Sequence, residues 1–145
     1  MAVRHRLDDG YELDDDKSRV DLDALVEFLT TSAYWGRWRG RTEIVAQVES
    51  AWRVVGLYAG AVMVGFARAV SDGVAFAYLA DVYVHPDHRG NGRGTALVRE
   101  LVEGEGAADF RWLLHTRDAH GLYAKLGFAP PGPDVMERPA SLARR

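Results

Sequence analysis

A short glycine-rich stretch carries most of the chemical information in this chain. It follows a β-branched run that ends at Pro86, and it reads Arg89-Gly90-Asn91-Gly92-Arg93-Gly94-Thr95. An apolar-periodic helix begins directly afterwards. The N–H groups in the first turn of a helix are unpaired and carry partial positive charge, and glycines leave them open to an anion. The spacing therefore predicts a phosphate site at residues 89–95, here called the glycine loop. The alternative is a tight turn without a ligand.

Composition narrows the class of protein. The chain has 145 residues, of which 48% are hydrophobic and 27% charged, and its net charge is −3. These values suit one globular domain, 1–145, and argue against nucleic acid as a partner. Arg89 and Arg93 concentrate positive charge at the glycine loop, which suits a small anionic ligand. The absence of cysteine excludes a disulfide scaffold and a cysteine nucleophile. The histidines lack metal-ligand spacing, so no metal site is predicted.

Membrane insertion and export are not expected. No apolar run approaches the ~20 residues that span a bilayer, and the first residues lack the apolar segment of a signal peptide. We therefore expect a cytoplasmic protein that makes no membrane contact.

The first half of the chain predicts one strand and two helices. A strand is expected within 1–13, around a turn at 8–10, and the charged residues 14–17 are expected to form a solvated loop. Apolar residues at helical spacing predict a helix after Asp21. A second helix fits 42–50, with Thr42 as its cap.

From residue 52 onward the pattern changes to strands. Residues 52–84 read as an antiparallel meander of three strands. A helix at 93–103 separates the last of them from the apolar run 110–115, so these two strands should pair in parallel. A short helix capped by Thr116 should end at Gly127. Short strands are expected from Phe128 and over 134–138. The total is an α/β fold, or α+β by stricter naming.

A second motif follows the glycine loop and reads Ala119-His120-Gly121-Leu122-Tyr123-Ala124-Lys125-Leu126-Gly127-Phe128. The loop resembles the Arg/Gln-x-x-Gly-x-Gly/Ala signature of the GNAT superfamily of acetyl-CoA-dependent N-acetyltransferases. The second motif is similar to that family's Ala-x-x-Leu-Tyr-x-Lys-x-Gly-Phe segment. The resemblance is best over 75–129. It implies a mixed, mostly antiparallel central sheet with helices on both faces and a splayed parallel strand pair.

The resemblance also implies how acetyl-CoA would be held. Backbone N–H groups of the glycine loop would bind the coenzyme A pyrophosphate. Where the parallel strands splay, the backbones of Val82 and Val84 would bind the pantetheine arm like an added strand, and one N–H would polarise the thioester carbonyl. Many relatives carry Asn where this chain has Thr116. Thr116 is the candidate cofactor-binding residue at this position: its hydroxyl can cap a helix, but it lacks the amide with which the relatives' Asn contacts the cofactor.

Two side chains are the candidate catalytic groups. The family uses its tyrosine at the position of Tyr123 as a general acid towards the departing thiolate; the alternative is a tyrosine that fills the helix–sheet interface. Asp81 could orient the amine or take its proton, directly or through water, or it could be a carboxylate bonded to a neighbouring loop. Relatives often carry a basic glutamate where this chain has Tyr78. In relatives the segment that holds Tyr34 and Trp35 lines the acceptor pocket, although packing is an equal alternative here.

The resulting hypothesis is an N-acetyltransferase that moves the acetyl group of acetyl-CoA to a primary amine of a small molecule by direct transfer in a ternary complex. A non-catalytic acyl-CoA-binding or sensing module is the alternative from another class. Acetylation of a protein or peptide amine is a third alternative. The assembly is left open, with a homodimer as one form.

Overall fold

The computed structural model describes residues 2–144 and builds them around one mixed sheet. Within that range the strands are β1 (Arg4–Arg6), β2 (Glu12–Asp14), β3 (Arg53–Ala59), β4 (Val62–Ser71), β5 (Phe76–Val84) and β6 (Arg111–Leu113). The helices are α1 (Leu22–Thr31), α2 (Arg41–Ser50), α3 (Arg93–Glu103) and α4 (His120–Ala124). No helix in residues 2–144 is long and apolar enough to cross a membrane.

The strands follow one another across the sheet in chain order. Every neighbouring pair is antiparallel except β5 and β6, which are parallel because α3 crosses between them. The parallel pairing extends only from Phe76 and Arg111 to Tyr78 and Leu113, whereas β5 continues to Val84. The two strands therefore part, and residues 79–84 have no strand on that side. The expected mixed sheet with a splayed parallel pair is confirmed.

Helices cover both faces of the sheet, as expected. On one face α1 and α2 bury Leu25, Leu29, Ile44 and Val48 against alternate residues of β3 and β4. On the other face α3 packs an apolar stripe, Leu97, Val98, Leu101 and Val102, and α4 adds Tyr123. The side-chain alternation of the strands thus supplies two cores, one for each pair of helices.

A β-bulge interrupts the pairing of β4 with β5. Phe66 pairs with Tyr83 and Arg68 pairs with Ala80, so two residues of β5 lie opposite one residue of β4. The extra residue is Asp81, whose φ of 55° lies in the left-handed region that side chains other than glycine rarely adopt. Such strain persists only where surrounding contacts fix it. Here the bulge turns a carboxylate into the interior beside the point where β5 and β6 part.

The structure corrects several predicted elements. Residues 14–17 are not a solvated loop, because Asp14 belongs to β2 and is 3% exposed. The cap of α2 is Gly40 rather than Thr42, and Glu43 accepts from its N–H in place of a side-chain cap. Residues 128–138 contain neither expected strand. Prolines at 130, 131 and 133 remove backbone donors that a strand needs, which accounts for the irregular chain there.

Candidate active site

A cavity of about 570 Å³ opens where β5 and β6 part. Four elements contribute to its wall: the segment between α1 and α2, the centre of β4, the bulged part of β5, and the chain that leads from β6 into α4. Its residues include Tyr34, Trp35, Trp38, Arg39, Arg68, Tyr78, Asp81, Val82, His115, Thr116, Arg117 and Tyr123. The cavity therefore joins both candidate catalytic groups to both candidate acceptor-binding residues.

Asp81 is the predicted site residue with the densest set of partners. Arg39 donates to both of its oxygens, from Nη1 to Oδ2 at 2.7 Å and from Nη2 to Oδ1 at 2.9 Å. Arg68 donates from Nε to Oδ2 at 2.7 Å, and Trp35 donates from its indole N–H to Oδ1 at 2.7 Å. Burial works against ionisation of Asp81, but the hydrogen bonds and charges of the two arginines outweigh it and lower the pKa. A carboxylate held in this way is a poor proton acceptor, so the geometry argues against its predicted role as a base.

Tyr123 presents its hydroxyl to the cavity. The residue is 9% exposed, and its ring packs edge-to-face with Phe128. Burial raises the pKa of Tyr123 to about 12, with smaller contributions from Tyr34 and Asp118. In residues 2–144, the Tyr58 hydroxyl is the one side-chain polar group that is fully buried and lacks a hydrogen-bond partner. The Tyr123 hydroxyl also lacks a partner among these residues, so it is not fully buried and remains accessible. Its raised pKa keeps it protonated at neutral pH.

A chain of polar side chains stands where relatives often carry a basic glutamate. The hydroxyl of Tyr78 lies 2.5 Å from Nδ1 of His115, and Nε2 of His115 contacts a carboxylate oxygen of Glu137. If Glu137 accepts from Nε2–H, then Nδ1 accepts from the Tyr78 hydroxyl, which sets the tautomer of the imidazole. Burial, together with the charge of Glu137, raises the pKa of Tyr78. The Tyr78 oxygen can therefore accept a proton only if its own proton moves on to His115.

The aromatic residues of the α1–α2 segment form one wall of the cavity. The Tyr34 and Trp35 rings meet edge-to-face with centroids 4.9 Å apart. The Tyr34 hydroxyl accepts from the N–H of Arg117 at 2.9 Å, and the guanidinium of Arg117 lies 4.2 Å from the Tyr34 ring centroid. Both predicted acceptor residues line the cavity, and Trp35 also orients Asp81.

The glycine loop has the backbone of an anion cradle. Gly90, Asn91 and Gly92 all have positive φ, and a Cβ added at Gly90 or Gly92 would meet no atom within 4 Å. Gly92 caps α3. The backbone hydrogen bonds found within residues 2–144 use the N–H groups of Arg93 and Ala96 but leave those of residues 90–92, 94 and 95 free. Several backbone donors are thus unpaired at a helix N-terminus.

The side chains of the glycine loop hold the loop itself in place. Arg89 donates from Nε to the carbonyl oxygen of Val84 at 2.8 Å. Arg93 donates from Nε to Asp9 at 2.9 Å and stacks over Tyr11. A Cβ at Gly94 would lie 3.3 Å from Leu122, so this glycine permits close packing of α3 on α4. The anion donors that remain are chiefly backbone N–H groups.

The free edge of β5 lies between the glycine loop and the cavity. Because the N–H of His85 donates to Val64 of β4, the backbone groups of Val84 and Val82 face the opposite side, where β6 has departed. The Val84 carbonyl is occupied by Arg89, which leaves its N–H. Thr116 begins the turn before α4, with its hydroxyl accepting from the N–H of Ala119 at 3.1 Å. The helix cap itself is Ala119, one turn later than the sequence suggests.

Sequence reasoning missed the two buried arginines of this site. Arg68 lies within a strand of apolar and small residues, opposite a strand that contains Asp81. Residues of opposite charge within two neighbouring apolar strands predict a buried ion pair. Arg39 gave no comparable signal, because it lies in a short aromatic segment between two helices. Within residues 2–144, no group of three or more His, Asp or Glu side chains could hold a metal ion.

Comparison with known proteins adds an independent set of observations. The family model described as an acetyltransferase (GNAT) domain matches residues 50–130. A curated Gibberella zeae protein named as an acetyltransferase is 34% identical over 92 residues, which cover 58% of this chain and 46% of that protein. A Pyropia yezoensis protein named as an uncharacterized N-acetyltransferase is 38% identical over 68 residues, which cover 46% of this chain and 39% of that protein. The chain thus spans less than half the length of these curated relatives.

Solved structures match over nearly the whole chain. A crystal structure from Xanthomonas campestris pv. campestris, described as an acetyltransferase of the GNAT family, is 32% identical and superposes with a TM-score of 0.83. That match covers 90% of this chain and 93% of the other. A Staphylococcus aureus structure shares the fold with a TM-score of 0.69 at 20% identity, covering 90% of this chain and 98% of the other.

Proposed function

The chain belongs to the GNAT family of acetyltransferases, and on that premise we propose that residues 1–145 form a single domain that acetylates a primary amine of a small molecule by direct transfer. Members of this family generally use acetyl-CoA as co-substrate. One observation carries the proposal: Tyr123, whose hydroxyl is unbonded, and Val82 on the free edge of β5 line one cavity, and that edge leads through Val84 to the glycine loop. These features could bind the coenzyme, donate a hydrogen bond to the oxyanion and donate a proton to the leaving group.

The residues present fit acetyl-CoA in chemistry. The pyrophosphate is an anion, and the glycine loop offers several unpaired N–H groups, with open space around Gly90 and Gly92. The free N–H groups of Val82 and Val84 can hydrogen-bond an extended amide chain. Bound acetyl-CoA supplies a thioester whose acetyl group is transferred and whose thiolate leaves.

Tyr123 is proposed as the general acid. Its raised pKa keeps the phenol fully protonated across the physiological range, and no protein acceptor competes for its proton in the described residues. A developing thiolate beside this phenol would take its proton in the transition state. The N–H of Val82, which lines the cavity, is the candidate donor to the oxyanion.

The proton of the incoming amine needs an acceptor other than Asp81. A free alkyl ammonium has a pKa of ~10.4 and must lose a proton before it attacks. The nearby positive charges of Arg39 and Arg68 favour the neutral amine. Tyr78 and His115 are the groups proposed to take the proton: the amine would donate to the Tyr78 oxygen while the Tyr78 proton passes to Nδ1 of His115. Asp81 then acts as a positioning residue that holds Arg39, Arg68 and Trp35.

The test is thiol release from acetyl-CoA with a panel of polyamines, aromatic amines, amino acids, aminoglycosides and peptides. We expect amine-dependent release well above the rate without an amine. Saturable acetyl-CoA binding with no release for any amine would instead indicate the non-catalytic binding module. Release with peptides alone would replace the small-molecule acceptor by a protein or peptide amine.

A further inference from the structure

The interior of the cavity holds more positive than negative charge. Arg39, Arg68 and Asp81 are 5%, 8% and 6% exposed, so two guanidinium groups share one carboxylate away from bulk water. Arg117 and Asp118 also line the cavity, but both are exposed at its rim and offset each other. A buried charge without a full counter-charge is costly, so this interior favours an additional anion.

The two buried arginines differ in how much of their hydrogen-bonding capacity the protein uses. Arg39 donates from Nε to the Gly36 carbonyl and from its Nη groups to Gln47 and Asp81, so one N–H remains of five. Arg68 makes one hydrogen bond with the described residues, from Nε to Asp81. Both Nη groups of Arg68, with four N–H donors, have no protein partner there.

These free donors face the cavity. Across residues 2–144, the Tyr58 hydroxyl is the sole side-chain polar atom that is both fully buried and unpartnered. The Nη atoms of Arg68 also have no partner among these residues, and because they do not belong to this group they are not fully buried. Arg68 lines the cavity, so this accessible side of its guanidinium faces the cavity. Asp81 fixes the inner edge of the guanidinium through Nε, which leaves its outer edge presented as a rigid fork.

On this basis we propose that the acceptor carries an acid group, a carboxylate or a phosphate, beside its amine, and that the Nη groups of Arg68 bind that acid group. The proposal rests on the acetyl transfer proposed above and names the substrate class of the same site. Planar guanidinium groups match both kinds of acid group with two parallel hydrogen bonds. The same charge disfavours acceptors with several cationic groups, such as polyamines and aminoglycosides.

The position of Arg68 suits a small molecule. Arg68 pairs with Ala80 of β5, and Val82 follows two residues later. Beyond the bulge, Tyr83 pairs with Phe66, which at about 3.4 Å per residue lies roughly 7 Å along β4 from Arg68, so the candidate oxyanion donor Val82 lies within that distance along the strand. The Arg68 side chain can extend towards Val82 or away from it, which changes the distance between its guanidinium and Val82 by the length of a few bonds. An amine and an acid group separated by a short carbon chain can bridge it.

The first experiment uses the wild-type protein and matched acceptors. Thiol release is measured for several amino acids, for the amide of each, for its decarboxylated amine, and for an aminoalkylphosphonate, all compared per concentration of free amine. We expect kcat/KM at least tenfold higher for the acid-bearing acceptors, since hydrogen bonds to a charged group contribute about 10- to 100-fold. Amides or decarboxylated amines within twofold of the acids overturn the proposal while leaving acetyl transfer intact.

A binding measurement decides the proposal even if no acceptor is turned over. Calorimetry compares an N-acetyl amino acid with the N-acetylated decarboxylated amine on wild-type protein. Affinity at least tenfold higher for the acid supports the acid-group site, although the absence of turnover then counts against the proposed transfer. Equal affinities, or no binding of the acid, overturn the site.

Two matched variants assign the effect to Arg68. Arg68→Lys keeps a cation beside Asp81 but removes the fork, so the ratio of kcat/KM for acid over amide should fall close to one. Arg99→Lys makes the same change at a half-exposed arginine of α3 that does not line the cavity, and it should keep the wild-type ratio. A folded Arg68→Lys protein that keeps the full ratio, or loss of the ratio in Arg99→Lys, refutes the assignment. If Arg68→Lys does not fold, as judged by circular dichroism, the wild-type comparison still decides the substrate class.

Discussion

Replacing Gly92 by glutamate places a negative charge at the proposed pyrophosphate site. Gly92 caps α3 with a φ of 72°, and its surroundings are open, so the larger side chain meets no steric obstacle. Gly60 is a close match for a control: it is exposed in the turn between β3 and β4, has a φ of 61°, and is equally open. Gly60→Glu therefore reproduces the backbone strain and the added charge away from the cleft.

The two variants should differ in binding but not in stability. A side chain at positive φ costs about 1–2 kcal/mol in either position. At Gly92 the new carboxylate also repels the pyrophosphate by about 1–3 kcal/mol per charge at ~5 Å, depending on the local dielectric. It further competes for N–H groups whose hydrogen bonds to an anion contribute about 1.5–3 kcal/mol each. The sum exceeds about 3 kcal/mol, or at least 100-fold in Kd.

Calorimetric titration of each variant with acetyl-CoA measures this directly, with thermal unfolding as the control for stability. We expect Gly92→Glu to lose measurable binding and Gly60→Glu to bind like the wild type, with similar Tm values for both. Wild-type affinity in Gly92→Glu would refute the pyrophosphate assignment. An equal loss in both variants would mean that strain or net charge, and not the site, controls binding.

Further predictions concern three single side chains. Tyr123→Phe should lower kcat at least tenfold in steady-state assays with little change in acetyl-CoA affinity, and an unchanged kcat would remove the general acid. Because its pKa is raised to about 12, Tyr123 should cause no fall in kcat as pH rises from 7 to 9.5. Asp81→Asn should cost about 3–5 kcal/mol in urea unfolding at pH 7, since it leaves two buried arginines unpaired. The pKa of Asp81 is lowered in the fold, so its contribution is present above the unfolded pKa of ~3.9 and is lost as pH falls through the folded value. A cost at pH 7 below about 1 kcal/mol, or one unchanged towards pH 3, would contradict this. Tyr58→Phe removes a buried hydroxyl without a partner and should be neutral or stabilising by about 1 kcal/mol, so clear destabilisation would show an unseen hydrogen bond.

The elements predicted correctly from the sequence are those in which the local residue pattern agrees with the pattern of burial in the fold. The meander over 52–84, the helix at 93–103 and the parallel return strand all follow from residue spacing and chain connectivity, and each is confirmed. The cap at Asp21 is confirmed as well, with its carboxylate accepting from the N–H of Ala24. These features depend on neighbours in sequence, or on a single crossover rule.

Features that depend on distant partners were harder to predict. Asp14 is charged and lies in a charged stretch, but Arg19 and Arg4 pair with it and allow it to be buried. Asp81 was recognised as exceptional, whereas its left-handed backbone and its two arginines depend on the bulge and on a segment some forty residues earlier. The expected strands beyond Phe128 were wrong, because a short apolar pattern does not provide a strand with a neighbour.

The candidate site divides in the same way. The glycine loop and Tyr123 could be predicted from motifs; Tyr123 lines the cavity, and Gly94 of the loop packs against Leu122, its neighbour in α4. The charge and the free hydrogen-bond donors of the cavity could not be predicted. They depend on which charged side chains the fold brings together and on which partners Arg39 and Arg68 then find, and not on the residue types alone.

Direct acetyl transfer is the central claim, and the fate of a labelled acetyl group tests it most directly. Wild-type protein is mixed with isotopically labelled acetyl-CoA and an accepted amine, and mass spectrometry follows the label on the amine and on the protein during a single turnover. We predict that labelled N-acetyl amine forms in step with free coenzyme A while the protein carries no label. Labelled protein that precedes the product, or thiol release that yields only labelled acetate, would contradict direct transfer to an amine.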